Sequence, residues 1–217
     1  MRFLTYNIRH AEGYDGRVSP ARIAGVLREA QADVVGMNEV LRIPRVYDQT
    51  ERVARQLGME SVYQSNVRYG PIEAGNSVLT RGRIAETVHV NLPRGMERRG
   101  ALVCHLDVDA VALTFVSTHL SLGRRKRAEQ IEALASGLPR DSPLVLAGDF
   151  NCAACELDPL REFFTVLDDA PPTFPAVRPT RGLDHIVFSR HWRLSAMEAV
   201  RSLASDHLAL WADLELV

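Results

Sequence analysis

Short apolar runs rich in β-branched and aromatic residues recur along the chain, and polar residues gather at their ends. The runs are Phe3 to Ile8, Asp33 to Val40, Asn76 to Arg81, Leu144 to Phe150, Asp184 to Ser189 and Leu208 to Leu216. Runs of this length and composition read as strands. A longer stretch, ALVCHLDVDAVALTFVSTHL from Ala101 to Leu120, alternates apolar and polar residues, and Asp109 with its neighbours breaks it into a hairpin. Helical spacing fills the gaps. Ser19 is a good N-cap ahead of Pro20, after which Ile23, Val26, Leu27 and Ala30 form one apolar stripe. A second helix is expected over Glu51 to Leu57, stopped by Gly58, and a third from about Arg125 to Ser136, ended by Gly137. Many strands and few helices imply a mixed α/β chain that buries two sheets against each other with helices outside.

Composition narrows the class. The 217 residues, 46% hydrophobic and 24% charged, suit a single soluble domain spanning 1–217 and exclude a disordered, collagen-like or coiled-coil chain. The formal charge of −1 argues against a protein that holds nucleic acid mainly by field strength. Any polyanion would have to be gripped locally. Three cysteines are too few for a disulfide framework, which points to a reducing, cytoplasmic compartment. Cys152 and Cys155 form a C-x2-C, but no second Cys/His pair follows at zinc-finger spacing. The opening MRFLTYNIRH lacks the apolar run of a secretory leader, and no stretch approaches the ~20 apolar residues of a membrane span.

What ends the strands carries the chemistry. Asn7 closes the first, Glu39 the second and His119 the hairpin. Asp149 and Asn151 follow LVLA, Asp184 opens DHIVFS, and Asp206 with His207 precedes the last strand. Each has a plainer reading. Asn7 and Asp149-Phe150-Asn151 suit turns, Glu39 a solvated strand end, His119 a satisfied core histidine, and Asp206 an N-cap or turn. Together they supply the carboxylates, amides and histidines that hydrolysis of a phosphate ester needs. A carboxylate such as Glu39 can hold Mg²⁺ while leaving positions open. Another must orient or deprotonate water. A histidine held by a carboxylate has a fixed tautomer and can stay cationic beside a phosphate.

In order, TYNIRH, DVVGMNEV, GNSVLTR, STHL, GDFN, LDHIVFS and SDHLAL resemble the motifs of the endonuclease/exonuclease/phosphatase superfamily, the DNase I-like fold. The resemblance spans residues 3 to 210. It implies a four-layer α/β sandwich of two packed mixed β-sheets flanked by helices, and hydrolysis of phosphodiesters or phosphomonoesters with Mg²⁺ or Mn²⁺. Carried over by motif, Asn7, Glu39 and Asp206 become metal-site residues, with Glu39 the principal ligand. Asp149 becomes the carboxylate that activates water, and Asn151 the amide that steadies it. His207 contacts the scissile phosphate, Asp184 orients His207, and His119 is a general acid or phosphate contact. His185 and Asp206, lying beside that pair, are the alternative partners. The second motif usually reads Gln-Glu, whereas this chain has Asn38-Glu39.

Substrate is less sharply written. Asn76 and Arg99 are expected to line the substrate site, Arg99 meeting phosphate bidentately beside Arg98. Arg9, His10 and Asp15 follow Asn7 and are expected to shape the pocket. The run RRKR, Arg124 to Arg127, reads as a solvated charge run. A phosphodiesterase on a small or lipid-linked ester, a DNA or RNA nuclease, and a catalytically dead binding module all remain open. A monomer without an obligate protein partner is expected.

Overall fold

A computed structural model describes residues 1–217. The strands, in chain order, are β1 (Arg2–Asn7), β2 (Val34–Ile43), β3 (Tyr47–Asp48), β4 (Glu60–Tyr69), β5 (Ile72–Thr80) and β6 (Arg83–Asn91). They continue with β7 (Gly100–Val108), β8 (Val111–His119), β9 (Leu144–Asp149), β10 (Phe164–Thr165), β11 (Asp184–Ser189), β12 (Trp192–Val200) and β13 (Ala209–Leu216). The helices are α1 (Pro20–Ala30), α2 (Gln49–Leu57), α3 (Arg124–Gly137) and the single turn α4 (Asp158–Arg161).

One sheet runs β12-β13-β1-β2-β5-β4, with β3 hooked onto β2, and the other runs β10-β11-β9-β8-β7-β6. Phe3, Val34, Val78 and Leu210 of the first sheet meet Leu102, Phe115, Val145 and Ile186 of the second in a shared core. The outer face of the first sheet packs Leu4, Tyr6 and Val35 against Ile23, Leu27 and Val53 of α1 and α2. The outer face of the second packs Val116 and Leu146 against Ile131 and Leu134 of α3. The result is the expected four-layer sandwich. Both faces of the inner strands are buried, so these strands read as continuous apolar runs rather than as alternation.

The expected elements form with small shifts. Ser19 caps α1, its Oγ accepting the Arg22 amide, and Gly58 closes α2 at φ +66°. The β7–β8 hairpin turns through Asp109 and Ala110, both at positive φ. Gly137 proves to be the last residue of α3 rather than its stop, and Leu138 takes the cap. Strands β4, β6 and β12 were not expected. All three are sheet edges whose residues are largely exposed or half-buried, and in β12 a bulge between Leu194 and Ala196 shifts the alternation of Trp192 and Leu194 against Met197 and Ala199. No helix is long and apolar enough to cross a membrane.

Candidate active site

Two parallel pairings gather the polar strand ends. In β1–β2, Asn7 lies opposite Asn38, and in β8–β9, His119 lies opposite Asp149. Strand β11 runs antiparallel to β9 and sets Asp184, its first residue, beside Asp149. Ligands of α/β sheets collect outside the carboxyl ends of strands, and here those ends come from both sheets. Glu39 does not close its strand as expected: β2 runs on to Ile43, and a bulge inside it aims the side chain. The β2–β5 register slips between Met37 and Val40, and Glu39 sits there at φ +55°.

Three buried amides stitch the sheets across this rim. Asn7 Nδ2 donates to Glu39 Oε1 and to Asp149 Oδ2, each at 3.0 Å. Asn38 Oδ1 accepts the Asp149 amide at 3.0 Å while its Nδ2 donates to Asn76 Oδ1. Asn76 in turn donates to the Gly100 carbonyl. The Asn38 departure thus keeps a structural task. Asn7 Oδ1 accepts the Arg9 amide, which ties Asn7 to the loop that follows it.

On one side of the rim the groups are dry. His207 Nδ1 lies 2.8 Å from Asp184 Oδ2, which also accepts the Thr173 hydroxyl. Because carboxylate Asp184 can only accept, Nδ1 carries a proton and Nε2 faces Asp149 Oδ2 at 3.8 Å. Burial works against a charged ring, but Asp184 outweighs it, with Asp149 and Asp206 adding, and His207 is pushed up to about 9. For Asp149, burial and then the charge of Asp184 push its carboxyl up to about 7. A base with its pKa raised to near neutral is suited to taking a proton from water. Asn151 donates its amide to Asp149 Oδ1 at 2.9 Å and is anchored by Nδ2 to the Leu120 carbonyl.

His119 has a different tautomer. Arg99 Nη1 lies 3.1 Å from His119 Nδ1, and a guanidinium has only donors, so Nδ1 accepts. The ring proton therefore sits on Nε2, 3.5 Å from Asp149 Oδ2. Burial, then Arg99, His207 and His10, hold His119 well below the usual imidazole range. It stays neutral and offers one N–H toward the rim.

The other side is wet. Glu39 and Asp206 keep 32% and 30% of their side chains exposed. His10, held by Nδ1 to the Glu39 carbonyl at 2.8 Å, brings Nε2 to 3.8 Å from the Glu39 carboxylate. Asp206 faces Arg9 at 3.7 Å and accepts from Ser205, with no hydrogen bond to Glu39 or Asn7. Two cavities, of ≈ 190 and ≈ 690 Å³, open on either side of Glu39, Arg99 and His119. Asn76 lines the smaller one, and Asp149, Asn151 and His207 the larger.

Some expected residues fall elsewhere. Asp15 turns to Arg22 at the surface and does not shape the pocket. His185 bonds the Cys152 carbonyl through Nε2 and packs edge-on against Phe150, so it is no rival to His207. Arg127 is not solvated. It is buried, bonds the Ser121 and Leu122 carbonyls and pairs with Glu156 at 2.8 Å. Thr173, Phe174 against the His207 ring, and Arg181 join the site from a loop without periodicity to announce it.

A metal has two conceivable seats. Asp149, Asp184 and His207 offer atoms within 4.8 Å of one another, but Asp184 and His207 spend theirs on each other and on Thr173. Glu39 has a partly water-facing carboxylate beside the Asn7 amide, with the His10 ring 3.8 Å away, and a carboxylate open to solvent fits a hard cation that keeps waters.

The sequence profile of the Endonuclease/Exonuclease/phosphatase family matches residues 4–207. The chain belongs to this family. Its members are phosphoester hydrolases and generally use divalent metals. Among solved structures, the endonuclease/exonuclease/phosphatase from Beutenbergia cavernae is similar at a TM-score of 0.88 and 25% identity, covering 100% of this chain and 71% of that one. The mannosyl-6-phosphatase of Bacteroides thetaiotaomicron superposes at 0.81 with 16% identity, covering 100% of both chains. TDP2 of D. rerio, complexed with a single-strand DNA product, superposes at 0.78 with 14% identity, covering 99% of this chain and 98% of that one. These last two share the fold. No curated protein sequence matches the chain.

Proposed function

We propose that this family member is a divalent-metal-dependent phosphodiesterase that works by in-line attack of an activated water on phosphorus. The observation that carries the reading is the buried line Asp184–His207–Asp149 facing the half-buried Glu39 across one rim. Asp149 takes the proton of the attacking water, and Asn151 holds that carboxylate in place. His207, cationic through Asp184, meets a phosphoryl oxygen with its Nε2 proton, as does Arg99 from the opposite wall. The neutral His119 offers its Nε2–H as a hydrogen bond to a phosphoryl oxygen or to the leaving oxygen, keeping its proton. Glu39, with Asn7 beside it and Asp206 near Arg9 on the same wet side, would hold Mg²⁺ or Mn²⁺, whose charge would offset that developing on the phosphoryl oxygens and leaving group. The perturbed groups converging on one cleft speak against a dead binding module. The near-neutral net charge speaks against a processive nuclease. We take the protein to act as a cytoplasmic monomer, its three cysteines being free thiols.

The test is a panel of bis-p-nitrophenyl phosphate, p-nitrophenyl phosphate, plasmid DNA, abasic DNA, RNA and phospholipid head groups, each with and without metal. Cleavage that needs Mg²⁺ or Mn²⁺ and stops with EDTA is expected. Full activity of thoroughly chelated protein would overturn the metal assignment, and inertness on every ester would leave the binding module.

A further inference from the structure

Two loops meet at the lip of the larger cavity. Gly95 packs so closely on the second loop that an added Cβ would lie 3.0 Å from Ser121 Oγ and 3.1 Å from Lys126 Cγ. The buried Gln130 clamps them, donating to the Pro93 carbonyl at 2.8 Å and accepting the Ser121 amide at 2.9 Å. On the crests stand Met96, fully exposed, and Leu122, 77% exposed. Single exposed apolar residues are ordinary, but two on adjoining rigid loops at a cavity mouth are not scattered.

Cations surround them. Arg94 and Arg98 are exposed and form no ion pair, Glu97 being engaged by Arg99. Arg124 and Arg125 are 87% and 96% exposed, with acidic neighbours no closer than 3.8 and 3.7 Å. Surface pairs this loose contribute little and leave the arginines free to turn outward. A chain of net charge −1 thus concentrates positive charge on one crest. Leu122 lines the same cavity as Asp149 and His207, so whatever the crest touches lies next to the reacting groups.

We propose that this crest docks on an anionic lipid surface and presents an ester carried at that surface to the catalytic rim. The inference rests on the phosphoesterase reading above and narrows its substrate. Aliphatic tips ringed by arginines suit head groups and the first acyl carbons, where apolar burial and charge attraction add. Single-stranded nucleic acid calls instead for flat aromatic platforms. Tyr69 lines the smaller cavity with its hydroxyl tied to Glu97 at 3.2 Å, and Phe174 in the larger one is packed against the His207 ring.

Flotation of the full chain, with Mg²⁺ present, decides the matter. Vesicles containing roughly one third phosphatidylglycerol should carry the protein up, those of phosphatidylcholine alone should not, and salt should release it. Met96→Ser should weaken vesicle binding about tenfold, and Arg125→Gln about fivefold. Both variants should hydrolyse bis-p-nitrophenyl phosphate at the parent rate. Absence of flotation, or flotation unchanged in both variants, overturns the proposal. A single-stranded oligonucleotide bound more tightly than the vesicles, with no response to Met96→Ser, assigns the crest to nucleic acid instead and overturns it too. Loss of soluble-ester hydrolysis in the parent protein strikes the phosphoesterase reading alone, because flotation is measured without turnover.

Discussion

Asp149, Asp184 and His207 are no more than 5% exposed, whereas Glu39 and Asp206 keep 32% and 30% of their side chains in water. Both groups meet on one rim, Asp149 and Asp184 from strand ends, Asp206 and His207 from the loop before β13 and Glu39 from the bulge inside β2, with Asn7 bridging Glu39 and Asp149. The dry side strengthens each hydrogen bond and shifts the titrations of Asp149 and His207. The wet side binds its own groups loosely and leaves oxygens to exchange with solvent or a cation. Proton handling and charge neutralisation are thus separated by solvent access.

The dry side can be broken hardest. Asp184→Asn and His207→Ala should each lower kcat by roughly a hundred- to ten-thousandfold. The double variant should lose little more, because groups acting as a unit are not additive. Losses that multiplied would mean that the two act independently. On the wet side, Glu39→Gln should weaken Mn²⁺ binding at least about tenfold in a calorimetric titration while the fold survives. Cys155→Ala should leave both affinity and turnover alone, and an unchanged affinity in the Glu39 variant would remove Glu39 as the ligand.

The seam between the sides is weaker still. Asn38→Ala leaves the buried Asp149 amide and Asn76 without their partner, so urea unfolding should register a loss of about 1–3 kcal/mol. A smaller effect sharpens the contrast by pH. His207 and Asp149 both titrate above their ordinary values in the folded chain, at about 9 and about 7. Below the ordinary imidazole range the lowered His119 and His185 oppose these two, but from about pH 7 to 9 the folded state holds the His207 proton that the unfolded chain has lost, so stability falls as pH rises there. The Tm of metal-free protein should decline from pH 7 to pH 9, and a Tm that rose over that window would reverse the sign of the His207 shift.

How much of this was legible follows from burial. Strands β1, β2, β9 and β11 show themselves as apolar runs because residues such as Phe3 and Leu4 pack into different cores on opposite faces. Strand β6, RIAETVHVN, is exposed along nearly its whole length and is held by backbone pairing to β7, which leaves no mark in composition. The same holds for the site. Polar residues that interrupt apolar runs, such as Glu39 and Asp149, stand out. Thr173 does not, since its position depends on contacts across the fold, and His10, expected only as a pocket residue, is brought to Glu39 by a loop with three successive positive φ values. Arg127 misleads because three cations precede it, and only packing shows it turned inward.

Strand β1 lies between β2 and β13, and its register with β13 pairs Arg2 with Asp213, sealed by side-chain hydrogen bonds spanning 211 positions. Closing so long a loop is a late and slow event, so the sheet bearing Asn7 and Glu39 matures only when remote segments find each other. Until then one edge of β1 stands bare between apolar faces, an invitation to pair with another molecule. Refolding yield should accordingly fall with protein concentration, and truncation before Ala209 should favour aggregates over a smaller active enzyme.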